Sequence, residues 1–202
     1  MFLVRRKETD KENQGKLLVA YTIILFISSL FVPFVVVATF QSMVYFSRSY
    51  WFFSTPLSAY MTFMCGMIYI ALVLTFYLLV GQKWEGKRAK GIMWILLVLC
   101  IPFFILSLTN YYYLDDEGVH YNSLTSLKEK QYKWGEMAKV HIVYRNYQGS
   151  TGFYQYKFEM PDGSTITIPY NDKLSEHKYQ VEAKIKEFNI PISDNFRNPV
   201  LD

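Results

Sequence analysis

The sequence predicts a multi-pass α-helical membrane region with three transmembrane helices, followed by a C-terminal α+β domain of antiparallel strands closed by one helix. Two observations predict this division. Charged residues are missing from three long runs in the first part of the chain, whereas the second part alternates apolar and polar residues. The charge divides in the same way, because residues 1–109 carry a net +6 and residues 110–202 a net −2.

The three uncharged runs are long enough to be membrane spans. They extend over Leu17–Ser47, Ser49–Gln82 and Gly91–Leu114. Each exceeds the roughly 20 residues that a helix needs to cross a hydrocarbon core of about 30 Å. After a basic N-terminal tail of residues 1–16, we place the spans at about residues 17–46, 57–80 and 91–108. Pro33 and Pro102 predict a kink in the first span and a bend in the third, because proline removes a helical hydrogen bond.

The distribution of basic residues predicts the orientation in the cell membrane. The N-terminal tail is rich in Lys and Arg, and the loop between the second and third spans carries Lys83, Lys87, Arg88 and Lys90. The positive-inside rule places both segments in the cytoplasm, so three spans leave the C-terminal domain outside. The same four residues are candidate contacts for anionic lipids of the bilayer, at about 1 kcal/mol per charge. The alternative is that they only fix the topology.

The composition of the spans limits the classes of function. None of them contains Asp, Glu, Lys, Arg or His. Because proton and ion pathways usually need such groups, an ion-coupled transporter is disfavoured. Thr62 and Gly66 form a small-xxx-small pair, which favours close packing either with another protein's helix or among the chain's own helices. Both cysteines, Cys65 and Cys100, lie in uncharged runs, so the C-terminal domain has neither a disulfide nor a thiolate zinc site.

Alternation of apolar and polar residues predicts the strands of the C-terminal domain. It is strongest in three segments, Ala138–Tyr144, Tyr154–Met160 and Ile166–Ile168. Shorter strands are predicted at Tyr111–Leu114, Val119–Leu124 and Lys130–Trp134. Pro161-Asp162-Gly163 predicts a tight hairpin. Asn171 or Asp172 can cap a closing helix over about Lys173–Phe188.

The order of these elements carries a resemblance to a known family. A strand, a turn and a strand over Tyr113–Val119 precede Trp134-Gly135-Glu136-Met137, the hairpin at Asp162-Gly163 and the closing helix. In this order, residues 110–190 resemble the bacterial pleckstrin-homology-like (PH-like) domain found in small multi-span membrane proteins, with residues 191–202 as a C-terminal tail. The resemblance implies a binding or scaffolding module rather than a catalyst. It also implies a cytoplasmic domain, whereas the charge distribution predicts the outer side.

No catalytic site, metal site or cofactor is predicted. His120, His141 and His177 are scattered, without metal-ligand spacing, and we interpret them as solvated or surface-packed side chains. The segment Gly149–Gly152 lacks the Gly-x-Ser-x-Gly pattern of a nucleophile turn, and we interpret it as a flexible hairpin loop.

Five basic residues of the domain are candidates for binding an acidic headgroup or a peptide: Lys128, Lys130, Lys133, Lys139 and Arg145. The alternative, given the domain's net charge of −2, is a mixed solvated face. An exposed sheet edge could instead receive a partner strand. Nucleic acid is not expected as a partner, because the basic pI reflects the membrane flanks rather than clustered charge on the domain.

Three classes of function are compatible with these features. The first is a non-enzymatic, membrane-anchored module that recruits or regulates a protein or lipid partner, which the fold-level resemblance implies. The second is an accessory subunit of a membrane transport complex, which the uncharged spans permit. The third is a membrane hydrolase, which would need a catalytic cluster that only folding can assemble, with His141 as its best candidate.

Overall fold

The computed structural model describes residues 2–80, 87–126 and 128–201, which form two compact units. The first unit comprises Met1–Phe46, Thr55–Tyr111 and Asn122–Leu127. The second comprises Ser47–Ser54, Tyr112–Tyr121 and Lys128–Asp202. The second unit therefore includes a short segment, Ser47–Ser54, that lies in the sequence between two parts of the first.

The first unit is helical. Its helices over the described residues are α1 (Phe2–Ser28), α2 (Val32–Val44), α3 (Leu57–Val80), α4 (Lys87–Val98) and α5 (Ile101–Thr109). Helix α3 has the bounds predicted for the second span. Residues Leu57–Leu79 of α3, and residues Gly91–Thr109 of α4 and α5, are each long and apolar enough to cross a membrane. Helices α1 and α2 are bent by 67° and add a third candidate span if the pair counts as one.

The break between α1 and α2 and the break between α4 and α5 each occur next to a proline, as predicted. Pro33 lies in the first turn of α2, and Pro102 lies in the first turn of α5. In an unbroken helix each proline ring would clash with the carbonyl group four residues earlier, which belongs to Ser29 or Val98. The chain relieves the clash by ending one helix and beginning another.

The helices of the first unit expose large apolar side chains. In the most apolar stretch of each candidate span, only 28 % is buried in α3 and only 11 % in α4 and α5. Val35, Leu79 and Trp94 are among the side chains that are at least 65 % exposed. Apolar helices in water bury such residues, so this exposure is typical of a surface that faces lipid. The buried contacts form a small cluster of Val37, Ala59, Phe63 and Met67.

Close helix packing within the first unit covers Gly66. A Cβ atom at this position would lie 3.2 Å from the Cβ of Phe103 and 3.2 Å from the ring of Phe104, both on α5. Thr62 is half-buried, and its hydroxyl donates to the carbonyl oxygen of Ser58 in its own helix. At Gly66 the close neighbour is therefore the chain's own helix.

A buried glutamine connects α2 to the end of α5. Gln41 is fully buried, and its Nε2 donates to the carbonyl oxygens of Ser107 (3.1 Å), Leu108 (3.3 Å) and Asn110 (2.9 Å). Its Oε1 accepts from Thr55 Oγ1 at 2.7 Å. The last carbonyl groups of a helix have no partner within the helix. Gln41 therefore supplies donors that the helix itself cannot supply.

The second unit is built on two sheets. Strands β1 (Phe52–Ser54), β2 (Tyr111–Leu114), β3 (Gly118–Asn122) and β4 (Lys130–Lys133) form a four-stranded sheet in that order. The other strands are β5 (Lys139–Tyr147), β6 (Ser150–Glu159), β7 (Thr165–Pro169), β8 (Ile192–Asp194) and β9 (Val200–Leu201). They form a five-stranded sheet in the order β7-β6-β5-β8, with β9 also pairing with β5. The coarse prediction of an α+β arrangement is confirmed.

Strand β1 comes from the segment between α2 and α3. Phe52 pairs with Leu114, and Ser54 pairs with Tyr112, in antiparallel register. The sequence predicts no strand here. Three residues are too few to show alternation, and their aromatic rings are equally typical of a membrane interface.

The turn between β5 and β6 corrects the predicted loop Gly149–Gly152. Gln148 and Gly149 form the turn with positive φ angles of 52° and 82°. Ser150 and the residues after it therefore belong to β6, not to a flexible loop.

A bulge in β6 changes which residues face the core. The pairing with β5 shifts between Val143 and Tyr144. Tyr156 and Phe158 are buried, as their alternation predicts, but Tyr154 is 40 % exposed. Phe153 packs against the core in its place, because a bulge inserts one extra residue and inverts the alternation beyond it.

The predicted closing helix consists of two pieces. Helix α6 (Asp172–Glu176) is separated at His177 from α7 (Lys178–Glu187). Asn171 caps α6, since its side-chain oxygen accepts from the Leu174 N–H at 3.0 Å. Buried Leu174, Val181 and Ile185 join the helices to the core of the second unit.

The segment that the sequence sets apart as a tail contributes β8 and β9, which run parallel to β5. Between these two strands, Asn195 continues the pairing with its side chain. The Tyr144 N–H donates to Asn195 Oδ1 at 2.6 Å, and Asn195 Nδ2 donates to the Tyr144 carbonyl oxygen at 3.1 Å. Residues 191–201 are thus an edge of the sheet.

Candidate functional site

The five basic residues predicted to bind a partner do not converge on one site. Lys130 and Lys133 lie on β4 of the four-stranded sheet, and Lys128 lies in the loop before it. Lys139 and Arg145 lie on β5 of the other sheet, about 20 Å apart at roughly 3.3 Å per residue. Because six positions separate them, Lys139 and Arg145 share one face of β5.

The residues predicted to contact anionic lipids are only partly described. Lys83 lies outside the described residues. Lys87, Arg88 and Lys90 lie on α4, and their side chains lie outside the described part of the chain. Lipid contact and topology both stay as interpretations.

His141 joins three strands on the outer face of the five-stranded sheet. Its Nδ1 lies 2.6 Å from Ser193 Oγ on β8, and its Nε2 lies 3.0 Å from Glu159 Oε2 on β6. His141 and Ser193 are direct partners in the parallel pairing of β5 and β8. The His141 side chain is 32 % exposed and that of Glu159 is 43 % exposed. The fold therefore assembles a serine, a histidine and a carboxylate at the surface.

The hydrogen-bond roles in this group follow from the carboxylate. Ionised Glu159 can only accept, so His141 donates through Nε2, and Nδ1 is left to accept the proton of the Ser193 hydroxyl. The hydrogen bond from His141 lowers the pKa of Glu159, and the charges of Lys139 and Lys157 lower it further. Nucleophilic serine sites use these three groups, but with the serine on Nε2 and the acid on Nδ1. The Ser193 group has the reverse order.

His120 is buried, which corrects the expectation of a solvated or surface side chain. It is 5 % exposed, with Nε2 at 3.2 Å from Asp115 Oδ1 and Nδ1 at 3.1 Å from Glu129 Oε1. Its ring stacks on Tyr113 at a centroid distance of 4.2 Å, and Tyr113 stacks on Tyr50 at 3.9 Å. Side chains on both faces of β3 are buried, so alternation along the strand could not reveal this position.

The contacts of His120 indicate a structural role. A neutral imidazole has one N–H group, so both carboxylate contacts are hydrogen bonds only when the ring carries two protons. The Tyr113 hydroxyl donates to Glu129 Oε1 at 2.8 Å. Burial, together with this bond, raises the pKa of Tyr113, which keeps the phenol protonated as a donor. Asp115 Oδ1 also accepts from the backbone N–H of Gly118, so the group fixes the turn between β2 and β3.

Among the residues that the structure describes, no group of three or more His, Cys, Asp and Glu side chains is placed to hold a metal ion. The third histidine, His177, bonds through Nδ1 to Gln180 Oε1 at 2.8 Å.

The sequence points to His141 but not to its two partners. Ser193 lies in the segment interpreted as a tail, and Glu159 lies in a strand where an acidic residue is unremarkable. Their proximity depends on β8 returning to β5 after the two closing helices. No local spacing in the sequence encodes that return.

Comparisons with known proteins return no match, whether with protein-family models, with curated proteins or with solved structures.

Proposed function

We propose that the protein is a membrane-anchored, non-enzymatic module whose strand-rich domain has a PH-like fold and recruits or regulates a partner. The observation that carries the proposal is the order of elements. Three strands, β2 to β4, are followed by three more, β5 to β7, and then by the closing helices. The domain also follows a candidate span directly, since α5 ends at Thr109 and β2 begins at Tyr111. The analogy supports binding rather than chemistry.

Pairing between β1 and β2 supports three spans with the domain outside the cell membrane. Strand β1 precedes two candidate spans in the sequence, and β2 follows them. Two strands of one sheet must lie on the same side of a membrane, which two crossings between them allow. If α1 and α2 count as one further span, the basic N-terminal segment lies on the opposite side, which the positive-inside rule assigns to the cytoplasm.

The sidedness can be measured with a single cysteine. Asp162 lies in an exposed turn, so Asp162→Cys in a Cys65→Ser, Cys100→Ser background is accessible on the domain's side. We expect an impermeant maleimide to label it in intact cells, and to label Lys87→Cys in the same background only after lysis. If Asp162→Cys is also labelled only after lysis, in a protein that is expressed and folded, the external placement is wrong.

Partner recruitment can be tested by photo-crosslinking in cells. A photoreactive residue at Thr167, which is exposed on β7, is expected to capture a discrete partner. The matched position is Met61 on α3, which is 45 % exposed within a candidate span and should not give the same adduct. If no adduct forms at Thr167, at Lys133 or at Tyr179, the recruitment function is wrong.

The group around Ser193 favours a hydrolase as the second candidate. In such a reaction the Ser193 proton passes to His141 Nδ1 while Oγ bonds to the substrate carbonyl carbon, and the leaving group takes that proton as its bond breaks. Water then releases the acyl group from Ser193. A fluorophosphonate probe should label the full-length protein at Ser193, and label neither Ser193→Ala nor His141→Ala. A wild-type protein that stays unlabelled excludes this candidate.

A further inference from the structure

The outer face of the five-stranded sheet carries mainly basic and hydroxyl side chains. On β5 the outward positions hold Lys139, His141, Val143, Arg145 and Tyr147. Neighbouring strands add Gln155, Lys157, Glu159, Thr165, Thr167 and Ser193. Among these outward strand residues, all of them described, Glu159 is the one acid. The face is therefore basic, although residues 110–202 together carry a net charge of −2.

The lowered pKa of Glu159 agrees with a basic face. The hydrogen bond from His141 is its largest cause, and the charges of Lys139 and Lys157 add to that effect. Lys139 is the direct cross-strand partner of Glu159, and Lys157 is that of His141. Cations from two adjacent strands thus act on the same region of the surface.

One end of this face has the composition of a protein-binding hot spot. The Arg145 guanidinium lies 5.0 Å from the centre of the Tyr154 ring. Tyr154 is 40 % exposed because of the bulge, and Tyr147 is 61 % exposed. Val200, the partner of Arg145 in the pairing of β5 and β9, is 48 % exposed. Arg and Tyr are enriched among the residues that dominate protein–protein affinity.

We propose that this face binds an extended acidic segment of a partner protein that lies along β5. The spacing fits, because alternate side chains of an extended peptide and of a strand both repeat at about 6.6 Å. Carboxylates of such a peptide can therefore approach Lys139 and Arg145, with the two exposed tyrosines at one end. The proposal rests on the recruitment function and names the surface and the chemistry of its partner.

A polypeptide fits this face better than a lipid surface does. Hydroxyl and amide side chains on β6, β7 and β8 alternate with the cations and can bond to peptide groups and carboxylates. The stacked Arg145 and Tyr154 offer a planar contact of a kind that peptides use.

The test uses the full-length protein in nanodiscs of zwitterionic lipid and a fluorescein-labelled peptide of alternating Glu and Thr residues. Anisotropy should show binding that weakens with salt, since the attraction is between exposed charges. The triple variant Lys139→Glu, Lys157→Glu, Arg145→Glu should bind the peptide with an affinity lower by a factor of about ten or more. The corresponding Gln variant should show a smaller loss in the same direction.

The matched control reverses three basic residues elsewhere in the second unit, Lys173→Glu, Lys178→Glu and Lys186→Glu, which lie on α6 and α7. It changes the net charge by the same amount and should keep the affinity within about twofold. An equal loss in the control overturns the proposal, because net charge alone would explain the binding. Binding of anionic vesicles but not of the peptide also overturns it in favour of a lipid surface.

The crosslinking experiment separates this inference from the recruitment function. If the partner captured at Thr167 is also captured by the Lys139, Lys157 and Arg145 variant, the basic face is not its docking surface, and recruitment still stands. If no position captures a partner, recruitment itself fails.

Discussion

Two tyrosines of the second unit carry hydroxyl groups in opposite situations. The Tyr156 hydroxyl is buried with no hydrogen-bond partner among the described residues, whereas the Tyr113 hydroxyl donates to Glu129 at 2.8 Å. Tyr156→Phe should therefore stabilise the protein by about 1 kcal/mol, because it removes an unsatisfied polar group. Tyr113→Phe should destabilise it by about 1.5–3 kcal/mol, because it deprives a carboxylate of a donor. Chemical unfolding followed by tryptophan fluorescence measures both, and the same sign for the two variants would contradict the assignment.

The lowered pKa of Glu159 predicts that the protein loses folding stability at acid pH. Its pKa is lowered in the folded state, mainly by the hydrogen bond from His141. The stabilisation is therefore present above the ordinary Glu pKa of about 4.3 and is lost as the pH falls through the lower folded value. Melting temperatures below about pH 4.3 should fall more steeply for the wild type than for His141→Gln.

His177→Gln is the matched control for this pH dependence, because His177 bonds to the neutral side chain of Gln180. Its melting profile should follow that of the wild type. Identical acid limbs in the wild type and in His141→Gln would show that the bond to Glu159 does not contribute to the folded state.

At the scale of single residues, the sequence predicts strand faces but not their exceptions. Val140, Phe158 and Ile168 are buried, as alternation requires. His120 is buried although alternation with Val119 places it on the polar face, because side chains on both faces of β3 are covered. Tyr154 is exposed because of a bulge that no residue type signals. Burial of this kind depends on neighbouring strands rather than on the strand itself.

Among the secondary-structure elements, the end of α5 depends on one side chain from α2. Gln41→Leu would leave the carbonyl groups of Ser107 and Asn110 without this donor in an apolar environment. We expect a loss of about 1–2 kcal/mol, measured by titrating the full-length protein from mild detergent into SDS. Thr62→Val is the control, because that hydroxyl bonds only to its own helix, and it should change stability by less than about 0.5 kcal/mol. Equal stability of Gln41→Leu and the wild type would exclude the capping role.

The sequence predicts the elements that have a pattern within their own residues. It misses the short strands that form only by pairing with a neighbouring strand. The first residue of α3 and the bounds of β2 agree with the prediction, because α3 begins after a proline and an apolar tetrapeptide precedes an acidic turn. Strands β1, β8 and β9 have two or three residues each, too few for a periodic pattern. They are strands because β2 and β5 offer them an edge.

For the whole molecule, pairing of β1 with β2 connects two segments on either side of two candidate spans. Ser54 and Tyr112 are direct partners, so Ser54→Cys with Tyr112→Cys should form a disulfide in a background without the native cysteines. Mass spectrometry of the linked peptides after mild oxidation measures it. Ser54→Cys with Thr165→Cys, on a strand of the other sheet, should stay reduced. Equal crosslinking of both pairs would contradict the register.

Pairing between β1 and β2 also has a consequence for folding during synthesis, because β1 is made before its partner strand. Phe52 leaves the ribosome about 60 residues before its partner Leu114, which is roughly 3–12 s at ordinary translation rates. During that interval the edge of β1 is unpaired, while the two candidate spans are synthesised after it. Open edges invite wrong pairing. On the proposed membrane anchoring, substitutions that slow the insertion of α3 should therefore lower the yield of folded protein without changing the stability of the molecules that do fold.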